Sequence, residues 1–239
     1  MSAPTVLIVA KAPVPGLAKT RIAQSVGDVA AAEVAAAALL DTLMTATSVG
    51  WPVVVAVTGD LDHAIRGDEI TAALATARVV EQRGAGLGER LANAHADADA
   101  GRGVIQVGMD TPQLTVADYL DAGRMVELGS RVIGPAGDGG WWLLGLPDPD
   151  EAHGLIGVEM SQGDTGEQTE LALGGNFVRL RSVRDMDTWD DAVEIAEHLP
   201  ISQLAWAVRD IVANAAAEAG VAEAEGTEPP SPTEEEVMA

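Results

Sequence analysis

A loop near the N-terminus concentrates positive charge in a chain whose formal net charge is −23. Lys11, Lys19 and Arg21 follow the apolar run Val6 to Val9. Lys and Arg neutralise phosphate oxygens, and a glycine lets backbone N–H groups approach an anion closely. Ala18 stands where a P-loop needs glycine, so the Walker pattern fails. We predict a loop that binds a di- or triphosphate through Lys11, Pro15, Gly16, Lys19, Thr20 and Arg21.

A carboxylate follows another apolar run, in the segment Val107-Gly108-Met109-Asp110-Thr111-Pro112. Mg²⁺ in phosphate-binding enzymes takes one or two protein carboxylates together with phosphate oxygens. Asp110 is therefore the leading candidate for a metal ligand. The alternative is that Asp110 caps the helix that begins near Val116.

A second carboxylate candidate lies in Arg184-Asp185-Met186-Asp187-Thr188, between a late strand and a helix that begins near Asp190. Asp187 would complete a site for Mg²⁺ or Mn²⁺ if the sheet brings this loop beside Asp110. The alternative is that Asp187 or Thr188 caps the following helix.

The segment from Gly134 to Trp142 is dense in glycine and contains one carboxylate. Such a loop admits close backbone approach, so we predict acceptor binding by Asp138, Gly139, Gly140 and Trp141. Adjacent residues in a strand point to opposite faces, so either Trp141 or Trp142 belongs to the core. Lys19, Arg21 and Asp138 are the candidate catalytic residues. For the general base, Asp138 and Asp60 are the two candidates.

The loop Gly84-Ala85-Gly86-Leu87-Gly88-Glu89-Arg90 is only a weak match to a dinucleotide fingerprint. We reject NAD binding and predict that Gly86 and Arg90 support a base or ribose. Cysteine is absent, and the four histidines show no paired spacing with carboxylates. Thiolate chemistry is excluded, and a histidine metal site or triad has little support.

The elements that would position these loops alternate between strand and helix. Apolar runs predict strands at 6–9, 53–57, 78–82, 103–107, 132–133, 141–146 and 177–180. Helical patterns cover 28–46, with Asp28 as N-cap, then 87–98, 116–128, a stretch from 190, and 203–215. This alternation predicts an α/β fold with a mostly parallel sheet between helices. Ligands then bind at the carboxyl ends of the strands, where the loops above begin.

Length and composition favour one domain over residues 1–215 and a disordered acidic, proline-rich tail over 216–239. The negative charge disfavours nucleic acid polymers and anionic membranes as partners. We find no apolar run of membrane-spanning length in the sequence, so we expect a cytoplasmic protein. The oligomeric state does not follow from the sequence.

Five motifs in order resemble the DUF2064 family of the nucleotide-diphospho-sugar transferase (GT-A-like) superfamily. That superfamily also contains the molybdenum-cofactor and phospholactate nucleotidyltransferases. The matching motifs lie at Lys11–Arg21, Gly86–Arg90, Gly108–Pro112, Asp138–Trp142 and Asp185–Thr188, and the likeness covers about residues 5–200. Met109, Trp141 and Ile22 stand where the family usually has Ser, Tyr and Leu, and none of these departures removes a charged group.

The resemblance implies a Rossmann-like, doubly wound, three-layer α/β/α fold. It also implies a nucleotide pocket formed by the Lys11–Arg21 loop and Mg²⁺ held by Asp110 with Asp187. Two reactions fit equally: glycosyl transfer from a nucleotide sugar and nucleotidyl transfer from a nucleoside triphosphate. Fold likeness alone does not decide between them. A non-catalytic nucleotide-binding or scaffold protein is the third hypothesis.

Overall fold

The computed structural model describes residues 3–225. Its strands are β1 (Thr5–Lys11), β2 (Val53–Thr58), β3 (Arg78–Glu81), β4 (Val104–Gly108), β5 (Arg131–Pro135), β6 (Trp141–Leu146) and β7 (Phe177–Arg179). Its α-helices are α1 (Thr20–Val26), α2 (Asp28–Ser48), α3 (Gly67–Leu74), α4 (Leu87–Ala98), α5 (Val116–Glu127), α6 (Thr165–Ala172), α7 (Trp189–His198) and α8 (Gln203–Glu225). Two 3₁₀ segments, Leu61–His63 and Pro149–Gly157, complete the elements.

The strands form one seven-stranded sheet in the order β3-β2-β1-β4-β6-β5-β7. Neighbouring strands of this sheet are parallel, except that β6 runs antiparallel to both β4 and β5. The predicted mostly parallel α/β sheet is therefore confirmed. Parallel strands end at one edge of the sheet, which brings together the loops after β1, β2 and β4.

Alternating side chains of the central strand pack on opposite faces of the sheet. Ile8 belongs to a cluster with residues of α2 and α5, whereas Leu7 packs with residues of α4. A further cluster joins α1, α2, α7 and α8 behind the first layer. Burying a strand on both faces requires a nearly continuous apolar sequence, which β1 and β2 have.

Sequence patterns located the buried strands well and the short helices poorly. Helices α1, α3 and α6 have seven or eight residues each and were not predicted. Asp28 was wrongly predicted as a cap: Gly27 is the N-cap of α2, and Asp28 lies in its first turn. Helix α8 continues to Glu225, so its predicted end at residue 215 was too early. The rest of the predicted tail, 226–239, lies outside the described residues, and the division into domain and tail stays a prediction.

Helix α2 is long and apolar enough, by length and composition, to cross a membrane. The sequence-based exclusion of any such run was therefore too broad. In the structure 67% of the apolar window of α2 is buried. It packs against α1, α8 and the sheet, as the core helix of a globular fold does.

His95 on α4 is fully buried, and its Nε2 lies 2.9 Å from Gln106 Oε1 of β4. Burial lowers the pKa of His95 to about 4, although the hydrogen bond to Gln106 acts in the opposite direction. Because an unfolded histidine titrates near 6.5, the unfolded chain takes up a proton between these two values and the folded chain does not. This contribution to stability is complete above the unfolded pKa and is lost as the pH falls towards 4.

We expect the free energy of unfolding to fall by about 2 kcal/mol between pH 7.5 and pH 5 through His95 alone. Urea unfolding of the wild type and of His95→Gln across this range measures the contribution, because other titrating groups cancel in the difference. The wild type should lose more stability than the variant on acidification. Equal pH dependence in the two proteins would contradict the assignment.

Candidate active site

An open cleft of about 380 Å³ lies at the carboxyl edge of the sheet. The ends of β1, β2 and β4 form its floor, with Lys11, Thr58 and Asp110 among its lining residues. The N-terminal part of α4, the Asp138–Trp141 loop, the Met160–Thr165 segment and Asp185 supply the walls. The predicted motifs therefore meet at one site although they are far apart in the chain.

Asp110 stands just beyond β4 and pairs with a lysine from the first loop. Its Oδ2 is 3.0 Å from Lys19 Nζ, which also donates to the carbonyl of Met186 at 2.5 Å. Asp110 Oδ1 is buried and accepts no hydrogen bond from any residue between 3 and 225. Thr115, and not Asp110, caps α5 through a capping box with Asp118. The capping alternative for Asp110 is therefore removed.

Asp185 faces the same cleft as Asp110 and Asp138. Burial, followed by the negative charges of Asp138, Asp187 and Asp110, raises the pKa of Asp185 to about 7, and Lys19 counteracts this only in part. Negative charge at this point exceeds what the one neighbouring lysine neutralises. Such a cluster favours a cationic ligand.

Asp187 lies beside this cluster and is paired differently. Its Oδ2 is 2.8 Å from Arg21, and both side chains are substantially exposed. A smaller cavity of about 160 Å³ is lined by Asp110, Asp185 and Asp187 together. Thr188 caps α7 in a capping box with Asp191, so Asp187 is not the capping residue.

The loop after β5 is held against the Met160–Thr165 segment by a glycine. Gly139 has a φ of +89°, and a Cβ placed there would lie 1.8 Å from the carbonyl oxygen of Gly163. A side chain at this position would push the two loops apart. Asp138 Oδ1 accepts a hydrogen bond of 2.8 Å from Gly140 N, which closes a tight turn within the loop.

The two adjacent tryptophans point to opposite sides, as predicted. Trp142 is buried in the core, with its Nε1 bonded to the carbonyl of Arg181 at 3.0 Å. Trp141 lines the cleft and donates from Nε1 to Thr169 Oγ1 at 3.2 Å. Trp141 is therefore the tryptophan available to a ligand.

Not every predicted residue lines the cleft. Its lining includes Lys11, Arg90, Asp110, Asp138, Gly140 and Trp141 from the predicted set. The predicted residues outside that lining are Pro15, Gly16, Lys19, Thr20, Arg21, Gly86, Gly139 and Asp187. Lys19 contacts the lining through its ion pair with Asp110. Asp60 caps the Leu61–His63 segment and pairs with His63, and it does not line the cleft.

Several cleft residues were not selected from the sequence. They are Thr58, Gln82, Leu87, Leu91, Gln106, Asp185 and the segment Met160–Thr165. Gln106 carried a usable signal, because an amide in the middle of an apolar strand needs a buried partner. The Met160–Thr165 segment carried none, because its place in the cleft wall depends on a tertiary contact with the loop that contains Gly139.

The donor set at this edge fits a divalent cation that also binds a phosphorylated ligand. Among residues 3–225 no three His, Asp or Glu side chains converge closely enough to hold a metal by themselves. Mg²⁺ commonly uses only one or two carboxylates and takes its other oxygens from phosphate and water. Buried Asp110 Oδ1, which accepts no hydrogen bond within residues 3–225, would supply one such oxygen.

Comparison with known proteins identifies the family. The model of the DUF2064 family, described as uncharacterized proteins conserved in bacteria, matches residues 39–162, and the chain belongs to this family. The comparison with curated proteins found no match to this chain.

The chain is also similar to solved structures of transferases. A candidate nucleotide-diphospho-sugar transferase from Desulfovibrio desulfuricans G20 is 26% identical with a TM-score of 0.77, over 89% of this chain and 96% of that one. A nucleotidyl transferase from Methanothermobacter thermautotrophicus is 15% identical, with a TM-score of 0.52 over 82% and 97%. The 4-diphosphocytidyl-2C-methyl-D-erythritol synthase of Anaerococcus prevotii is 10% identical, with a TM-score of 0.53 over 82% and 99%. The last two similarities concern the fold alone.

Proposed function

We propose that this protein is a transferase that binds a nucleotide-activated substrate together with Mg²⁺ or Mn²⁺. The observation that carries the proposal is the meeting of carboxylates and a lysine at the carboxyl edge of the sheet. Asp110, Asp138 and Asp185 line one cleft there, and Lys19 is 3.0 Å from Asp110. In doubly wound α/β proteins this edge is where ligands bind.

Nucleotidyl transfer suits the positive first loop. An acceptor oxygen would attack the α-phosphorus of a nucleoside triphosphate, the bond from that phosphorus to the bridging oxygen would break, and pyrophosphate would leave. Lys11 lies in the cleft, and Lys19 and Arg21 lie beside it, paired with Asp110 and Asp187. Cations placed in this way stabilise a triphosphate and its departing pyrophosphate.

A metal ion held by Asp110 and a carboxylate of the Asp185–Asp187 loop would neutralise phosphate charge as the bond between the α-phosphorus and pyrophosphate breaks. Asp138 is the candidate general base, since it lies in the cleft wall next to Trp141. Trp141 offers an aromatic face to the acceptor. Asp60, the other candidate base, is held by its own helix cap away from the cleft lining.

Glycosyl transfer is the second candidate and is favoured by the similarity to the Desulfovibrio protein. In that reaction the acceptor attacks the anomeric carbon of a nucleotide sugar, and a nucleoside diphosphate leaves. The same carboxylates and cations would serve the leaving diphosphate. The two reactions therefore differ in which ligand binds and in which product appears.

A thermal-shift screen of nucleoside triphosphates and nucleotide sugars, each with and without Mg²⁺, tests the proposal. A ligand present at 100 times its dissociation constant stabilises the folded state by about 2.7 kcal/mol. For a protein of this size we expect the melting temperature to rise by about 5–10 °C, and only when Mg²⁺ is present.

The products then separate the candidates. Pyrophosphate release with a triphosphate supports nucleotidyl transfer, and nucleoside diphosphate release from a nucleotide sugar supports glycosyl transfer. Binding without either product over a panel of sugar and phosphosugar acceptors supports a non-catalytic nucleotide-binding protein. The absence of any Mg²⁺-dependent shift would contradict the proposed function as a whole.

A further inference from the structure

Gln82 follows the edge strand β3, and its side-chain amide is held in one orientation. Its Nε2 donates to two backbone carbonyl oxygens, those of Ala10 on β1 and Ala56 on β2, at 2.8 and 2.9 Å. Reversing the amide would place its oxygen against those two oxygens. The amide therefore has a single favourable orientation.

Both side-chain amide hydrogens of Gln82 are donated to these carbonyls, so only the amide oxygen remains to bond to a ligand. The side chain is half-buried and belongs to the wall of the cleft. No donor within residues 3–225 bonds to Gln82 Oε1, whereas the backbone N–H of Gln82 donates to the carbonyl oxygen of Val57. Gln82 Oε1 is therefore a fixed hydrogen-bond acceptor, because rotating the amide to present its N–H groups would break both bonds to the carbonyls.

The cleft that Gln82 lines has apolar as well as charged lining residues. Leu87 and Leu91 of α4 supply apolar surface, and Thr58 and Arg90 supply polar atoms. The amide lies over the ends of β1 and β2, one to two strand spacings, or about 5–10 Å, from the strand that leads to Asp110. A flat, partly apolar ring with a polar edge suits this end, while its phosphates reach the cations and carboxylates.

We propose that Gln82 reads the nucleobase as a fixed hydrogen-bond acceptor and selects bases that present an N–H group at that point. This inference rests on the proposed nucleotide binding and assigns the base to the Gln82 end of the cleft. A base whose N–H is removed leaves the amide oxygen without a partner. Leaving a desolvated acceptor unpaired weakens binding by about tenfold or more.

The test compares natural nucleotides with analogues that lack the donor. The probes are CTP against 2-pyrimidinone riboside triphosphate, ATP against purine riboside triphosphate, UTP against 3-methyl-UTP, and GTP against 1-methyl-GTP. Isothermal titration in the presence of Mg²⁺ gives the dissociation constants for the full-length wild type, Gln82→Met and Gln168→Met. Gln168 is an exposed amide on α6 outside the cleft and is the matched control.

We expect the wild type and Gln168→Met to bind their preferred triphosphate at least tenfold more tightly than its analogue, and Gln82→Met to bind the two within about threefold. A steric effect of the methyl group in 3-methyl-UTP or 1-methyl-GTP would persist in Gln82→Met, whereas an effect of the lost hydrogen bond would disappear. Gln82→Lys is a second variant in case Gln82→Met does not fold, because lysine still donates to the two carbonyls and carries no acceptor.

Equal discrimination by the wild type and by the folded Gln82 variants would overturn the role of Gln82 and leave nucleotide binding intact. Failure of the wild type to bind any of the four triphosphates or a nucleotide sugar would overturn the proposed function and this inference together.

Discussion

Replacing Asp110 by asparagine is expected to remove the Mg²⁺-dependent part of nucleotide binding. The substitution takes away the charge of a residue whose Oδ2 pairs with Lys19 and whose buried Oδ1 has no hydrogen-bond partner in the described part of the chain. Mg²⁺ has a strong preference for carboxylate and phosphate oxygens, and a neutral amide is a poor substitute. We expect the affinity for nucleotide with Mg²⁺ to fall roughly 100-fold, which corresponds to about 2.7 kcal/mol.

The measurement is isothermal titration of nucleotide at several Mg²⁺ concentrations. Asp190→Asn is the matched control, because Asp190 is an exposed carboxylate in the first turn of α7 and lies outside the cleft lining. The control should bind as the wild type does. Without nucleotide, Asp110→Asn should melt within about 3 °C of the wild type, since the lost ion pair and the relieved repulsion oppose each other. Unchanged Mg²⁺-dependent affinity in Asp110→Asn would refute the metal assignment.

The second large effect is expected at Asp185, and a much smaller one at Asp187. Asp185 lines the main cleft with Asp110, whereas Asp187 is paired with Arg21 at 2.8 Å and is 42% exposed. We expect Asp185→Asn to weaken Mg²⁺-dependent nucleotide binding roughly 100-fold and Asp187→Asn to weaken it less than about fivefold. This prediction makes Asp185 the second metal ligand in place of Asp187, which the sequence motif suggested.

The same pair of variants also separates function from stability. Asp185 is a partly buried carboxylate that its neighbours repel, so Asp185→Asn should leave the ligand-free protein at least as stable as the wild type. Titration with Mn²⁺ alone, followed by electron paramagnetic resonance, provides a readout that needs no substrate. Stronger loss of Mn²⁺ in Asp187→Asn than in Asp185→Asn would favour Asp187 as the ligand instead.

Lys19 is held in place by its side-chain contacts and by an unusual backbone conformation. Lys19 is bound to Asp110 and to the carbonyl of Met186, and its side chain is only 10% exposed. Its backbone lies in the left-handed region, with φ of 50°, at the start of α1. A non-glycine residue is uncommon there, and such strain is frequent at functional sites.

The sequence by itself determined the architecture of this protein. Runs such as Val53 to Val57 are apolar on both faces, and that pattern is typical of a parallel strand buried between two helical layers. Parallel pairing then follows from the intervening helices, and it requires the loops after β1 and β4 to meet at one edge. The approach of the Lys11–Arg21 loop to Asp110 was therefore predictable without coordinates.

Only the tertiary structure decided which member of each motif faces the cleft. Asp185 and Asp187 lie two residues apart on an irregular segment, where no period fixes the direction of a side chain. The contribution of the Met160–Thr165 segment depends on a close contact between Gly139 and Gly163. The orientation of Gln82 depends on carbonyls of β1 and β2, which lie 72 and 26 residues away in sequence. Such long-range contacts fix side-chain directions through packing and hydrogen bonding, which local sequence patterns do not contain.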